Sequence, residues 1–135
     1  MPPARLHADL QRARSALLEA ELTPRAADRY LAAHHAALRI AAVILAGRPD
    51  PAGNRQRASQ RARPRNAWAL VATVAPELAE WAAYFAATEG KRDAVRAGAT
   101  AIVTAREADD LVRDAHQLLS LVERSLATGE RQEAP

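Results

Sequence analysis

Apolar residues recur every three or four positions along most of this 135-residue chain, and that period predicts helices. Leu6, Leu10, Ala13, Leu17 and Ala20 form one stripe, which places a first helix over residues 4–22. Arg5, Asp9, Arg12, Arg14 and Glu19 take its polar surface. Thr23-Pro24 reads as a stop followed by a start, because a threonine hydroxyl can cap a helix and proline suits the first helical position. A second helix over 24–46 follows, with Ala27, Tyr30, Leu31, His34, Leu38, Ala41 and Leu45 on its apolar side and Gly47 and Pro49 at its end.

Asn66 can cap a third helix, whose stripe is Trp68, Val71, Ala72 and Ala75. Pro76 removes a donor and crowds the preceding turn, so the helix kinks or restarts there. Leu78, Trp81, Ala82 and Phe85 share one face up to residue 87, Gly90 closes the helix, and 91–97 reads as a short basic turn leading to Gly98. The last helix has the clearest beginning. Thr104-Ala-Arg-Glu107 has the form of a capping box, and Asp109 and Asp110 place negative charge near the positive end of the helix dipole. Its core stripe is Ala108, Leu111, Val112, Ala115, Leu118, Leu119, Val122 and Leu126, after which residues 128–135 form a polar tail expected to fray. Four to five amphipathic helices with mostly short connections predict an all-α antiparallel bundle, one domain with its core over about residues 5–127.

Residues 47–65 break the pattern. They have no apolar period and hold Arg48, Arg55, Arg57, Arg61, Arg63 and Arg65 against one acid, Asp50. Such a stretch cannot bury enough apolar surface to offset its ordering entropy, so it reads as a flexible basic loop. Its clustered arginines suit a polyanion, with binding that weakens steeply in salt, but no aromatic is interleaved for base stacking. A solvating insertion explains the same composition.

Composition sharpens the helical reading. The 35 alanines favour helix, since alanine loses no side-chain entropy there, and the 4% aromatic content with no β-branched runs argues against sheet. There is no cysteine, which removes disulfides, thiolate nucleophiles and Cys-ligated metal. No apolar stretch reaches the roughly twenty residues of a membrane span, and residues 1–14 lack the apolar run of a signal peptide. The expectation is a cytoplasmic protein with no membrane contact.

The stretch from Arg29 to Arg39, RYLAAHHAALR, resembles the second helix of HEPN domains. The later blocks VAPELAEWAAYF, from Val74 to Phe85, and TAREADDL, from Thr104 to Leu111, resemble one actinobacterial branch of small HEPN proteins. The resemblance covers about residues 5–126 apart from the basic loop. It implies a four- to five-helix bundle, often a homodimer. In this superfamily it implies either a metal-independent endoribonuclease, of toxin–antitoxin or RNA-processing type, or a non-catalytic module that binds nucleotide or a protein partner. The family's nuclease motif pairs an arginine with a histidine four to six residues later, usually late in the chain, with a polar residue after the arginine. Here Arg106, Arg113 and His116 in the last helix do not have that spacing, whereas Arg29 with His34 or His35 does, with Tyr30 in the polar position.

The candidate residues each admit two readings. Arg29 and His34 would be the catalytic pair, His34 as general acid–base and Arg29 stabilising the charge on phosphorus. They stand about 140° apart on a straight helix, so cooperation needs a second copy or a bend. The alternative makes His34 a hydrogen-bonded core histidine and Arg29 part of a solvated face. His35 and Arg39 lie one turn apart and can bind one phosphate together, or form an ordinary exposed edge. Trp68, Trp81, Tyr84 and Phe85 can stack on bases, or fill the core or a homodimer or partner interface. Adjacent His34 and His35 diverge by about 100° with no second ligand pair nearby, so no metal is expected, and nothing calls for a cofactor. No serine sits in a nucleophile elbow and no glycine loop cradles phosphate. The leading reading is a module that binds RNA, nucleotide or a protein partner without strong catalysis. The alternatives are a dimeric endoribonuclease and a pure interaction subunit that docks through its tryptophan helix.

Overall fold

The helix with the longest apolar run lies in the middle of the molecule. A computed structural model describes residues 3–48 and 67–133. Within them the chain forms α1 (Pro3–Glu21), α2 (Ala26–Ala46), α3 (Ala67–Val74), α4 (Ala79–Ala87), α5 (Glu89–Arg96) and α6 (Ala105–Glu133). Two 3₁₀ turns, Pro76–Leu78 and Thr100–Ile102, join α3 to α4 and α5 to α6. No strand occurs among the described residues.

Helix α2 packs against α1, α3, α5 and α6. Ala27, Tyr30, Ala33, His34, Ala36, Ala37, Ile40, Ala41, Val43 and Ile44 are buried, a wider band than the expected stripe. Leu31, Leu38 and Leu45 are only half-buried, and alanines do much of the inward work. A helix covered from several sides needs small side chains, because the spacing of helix axes follows the size of what lies between them. Helix α1 adds Leu10, Ala13, Leu17 and Ala20, and α6 adds Ala108, Leu111, Ala115, Leu118 and Leu119, all buried. The span Ala26–Gly47 is, contrary to expectation, long and apolar enough to cross a membrane, but half of it is buried inside the fold as a core helix.

The ends of the helices give their directions. Gly47, at the end of α2, lies close to Leu6 near the start of α1 and to Leu126 near the end of α6. Arg29, at the start of α2, meets Asp109 at the start of α6 with Nε 3.0 Å from Oδ1. Helices α1 and α2 therefore form an antiparallel hairpin, whereas α2 and α6 run in the same direction, which the intervening α3–α5 connection makes possible.

Several local signals act as expected and several do not. The capping box forms, with Glu107 N donating to Thr104 Oγ1 at 3.0 Å and Thr104 N donating to Glu107 Oε1 at 2.9 Å. Pro76 ends α3 and opens the 3₁₀ turn, so the kink is a restart. Thr23 does not cap α2. Its hydroxyl donates back to the Glu19 carbonyl at 2.7 Å and closes α1, and α2 begins at Ala26 after Arg25. Gly90 does not close α4 either, and residues 91–96 are no turn. Thr88 ends α4 and α5 continues through Gly90, held by buried Val95 and by an ion pair of Lys91 with Glu107 of α6. Gly98, at φ 112°, supplies the left-handed stop, a conformation costly for any residue with a Cβ. Helix α6 runs to Glu133, past the end of its apolar stripe at Leu126. Asn66 and residues 49–65 lie outside the described residues.

Thr104→Ala removes a side-chain acceptor at the start of the longest helix. It is expected to lower the unfolding free energy by about 1 kcal/mol, seen as a lower urea midpoint at unchanged slope.

Candidate phosphate-binding cleft

On α2, residues 31, 34, 35 and 38 follow the spacing that puts side chains on one face. Opposite them, α5 presents Arg92 and Arg96, one turn apart. Leu31, His34, His35, Leu38, Arg92 and Arg96 together line a cleft of about 300 Å³.

His34 is its most unusual component. It is 1% exposed, and neither ring nitrogen makes a hydrogen bond among the described residues. Burial, reinforced by the Arg92 guanidinium beside it, lowers its pKa from the ordinary 6.5 to about 4. Buried polar groups usually have partners; of the two core rings left without one among the described residues, His34 and Trp68, only His34 borders the cleft. Arg92 is anchored by its own neighbours: Nε lies 2.9 Å from Asp93 Oδ1 and Nη2 lies 3.6 Å from Glu89 Oε2. The outer rim is less constrained. Arg39 Nε donates to His35 Nε2 at 3.2 Å, so the two side chains meet across one turn. Both residues are exposed, and neither Arg39 nor Arg96 has a carboxylate partner among the described residues.

The structure does not bring Arg29 and His34 together. Arg29 is largely buried, and its guanidinium is committed to Asp109 and to the carbonyls of Thr23 and Pro24, at 2.9 and 3.0 Å. It clasps the start of α2 to α6 and to the preceding turn, while His34 faces α5. The angular offset between the two residues carries through to different neighbours. Arg29 instead shares an open recess with Arg113 and His116. There Glu21 lies 3.0 Å from His116 Nε2, and Asp109, Asp110 and Asp114 pair with the two arginines. The recess is balanced by carboxylates; the α2–α5 cleft has a surplus of cations.

The aromatic residues separate into core and rim. Trp68 and Phe85 are 1% and 0% exposed, stacked with centroids 4.9 Å apart, and fill the core instead of an interface. The reason is Phe85, which also meets Trp81 at 6.3 Å and Tyr84 edge-on at 5.0 Å. Trp81 is half-buried, and Tyr84 is exposed with its hydroxyl donating to Asp114. Arg55, Arg57, Arg61, Arg63 and Arg65 lie outside the described residues. No group of three metal-ligating side chains occurs among the described residues. Sequence reasoning missed Arg92 and Arg96, whose four-residue spacing is visible once the stretch after Gly90 is read as helix.

His34 links stability to pH. In the unfolded chain it takes a proton near the ordinary 6.5, in the fold only near 4, so in that window the unfolded chain binds more protons. Its contribution is complete above the upper value and is lost as pH falls toward the lower one, by up to roughly 3 kcal/mol. Urea unfolding across this window should show the loss in the native chain, and His34→Leu should remove that part of it.

Comparison with known proteins adds the family. No curated protein and no solved structure matches the chain. The family model described as HEPN_SAV_6107-like HEPN matches residues 20–123, which takes in α2 through most of α6 and so both walls of the cleft. Over most of its length, then, this helical chain belongs to the HEPN_SAV_6107-like HEPN family.

Proposed function

We propose that this HEPN chain is a binding module with no strong catalysis of its own, which engages phosphate groups of RNA or a nucleotide along the α2–α5 edge. The observation that carries this reading is the concentration of His35, Arg39, Arg92 and Arg96 on one edge, where Arg39 and Arg96 have no carboxylate among the described residues to satisfy them. Guanidinium groups in that state exchange water and counterions for phosphate oxygens. Arg48 is paired with Glu77, and the arginines of residues 55–65 add positive charge to the chain by composition alone.

Two facts support binding over cleavage. Arg29 already uses Nε and Nη1 for hydrogen bonds within the fold. His34 near neutral pH has no proton to give, and an imidazole with a pKa of about 4 is a weak base. The docking reading keeps a narrower basis, the Trp81–Tyr84 rim of α4, since Trp68 and Phe85 are internal.

A fluorescent single-stranded RNA titrated at two salt concentrations tests the proposal. Binding should weaken steeply with salt, and Arg39→Ala and Arg96→Ala should each lower the salt slope by about 1 while leaving the fold intact. No binding at low salt would refute it. RNA incubated with the protein in EDTA should stay whole; its degradation, abolished by His34→Ala or His116→Ala, would restore the nuclease reading.

A further inference from the structure

We propose that the cleft between α2 and α5 receives a single terminal phosphate group, the end phosphate of an RNA or of a free nucleotide; this rests on the phosphate-binding reading above and names what the edge takes in. The first support is the shape of the cleft. Leu31 and Leu38 stand two turns apart on α2, about 10 Å along the axis, with His34 and His35 between them. Arg92 and Arg96 face them from α5, one turn apart. The cleft of about 300 Å³ is at the small end for a ligand site, which favours a small group over a run of backbone.

The second support is the orphaned imidazole. His34 is buried, borders this cleft, and leaves both nitrogens without a hydrogen bond among the described residues. Holding a polar ring in that state costs free energy that an apolar residue would not. Glu89 and Asp93 already lie against Arg92, so the fold has placed carboxylates on this cation and none on Arg96. A phosphate entering the cleft would meet in Arg96 a cation that no carboxylate among the described residues satisfies, and would bring an acceptor to the side of the His34 ring.

Charge and connectivity then select the kind of phosphate. An internal phosphodiester carries one negative charge and is flanked by sugar on both sides. A terminal phosphate carries about −1.5 to −2 near neutral pH and has one free end with three acceptor oxygens. A phosphodiester can also accept a parallel pair of hydrogen bonds through its two free oxygens, but only a terminal phosphate can enter end-on and present a third oxygen. The leucines at either side of the histidines supply apolar surface against which the attached sugar can rest.

The test compares one short single-stranded RNA carrying a 5′-phosphate with the same RNA carrying a 5′-hydroxyl, by fluorescence anisotropy, with adenosine 5′-monophosphate as competitor. The phosphorylated RNA should bind at least about tenfold more tightly, the value of one charge-assisted contact set. Arg96→Ala, an exposed position, should bring that ratio close to one. His34→Leu should do the same, with thermal unfolding confirming that it folds. Equal affinity of the two RNAs in the native chain overturns the terminal-phosphate site while leaving the basic edge standing. Tight binding of the monophosphate without RNA binding supports the cleft, assigns it to free nucleotide and overturns RNA as the source. Failure of all three probes overturns both readings.

Discussion

The enclosure of α2 governs the rest of the molecule. A helix contacted by α1, α3, α5 and α6 has little surface left for water, so its inward residues must be small or apolar. Ala33, Ala36, Ala37 and Ala41 meet that condition, and the neighbouring helices approach over them. His34 is the exception, and its position makes it consequential. A polar ring in the wall of a closely packed seam loses hydration with no hydrogen bond in return, and the resulting neutral imidazole sits beside the arginines of α5.

The ion pairs support this arrangement from outside. Arg29 with Asp109 ties the start of α2 to α6, Arg14 with Glu123 ties α1 to α6, and Lys91 with Glu107 ties α5 to the first turn of α6. Exposed pairs of this sort contribute little individually, but the partly buried Arg29 also satisfies two backbone carbonyls at the turn between α1 and α2. This accounts for an arginine that sequence spacing alone assigns to catalysis. On the α2–α5 edge both acids, Glu89 and Asp93, serve Arg92, so Arg39 and Arg96 are left without a carboxylate among the described residues, and this asymmetry gives the surface its chemical character.

Much of the fold was legible in the sequence. The 3.6-residue period, the Thr104–Glu107 box and Pro76 mark helices by local physics that tertiary packing leaves in place. Where packing competes, local signals mislead. Gly90 reads as a stop, yet Val95 in the core and Lys91 on Glu107 hold that segment helical. Thr23 reads as a start, yet its hydroxyl turns back onto α1. The site was half legible. His34, His35 and Arg39 stand out from their helix, but Arg92 and Arg96 become partners only when α5 folds against α2, which no spacing within either segment reveals. Trp68 and Phe85 look like contact residues until their stacking shows that they are core.

The state of His34 tests the central claim most directly. A proton NMR titration of its imidazole, assigned by comparison with His34→Leu, should give a midpoint near the 4 that an enclosed ring beside Arg92 requires. A midpoint near the ordinary 6.5 would mean that the ring meets water and that α2 is not the sealed centre of the bundle.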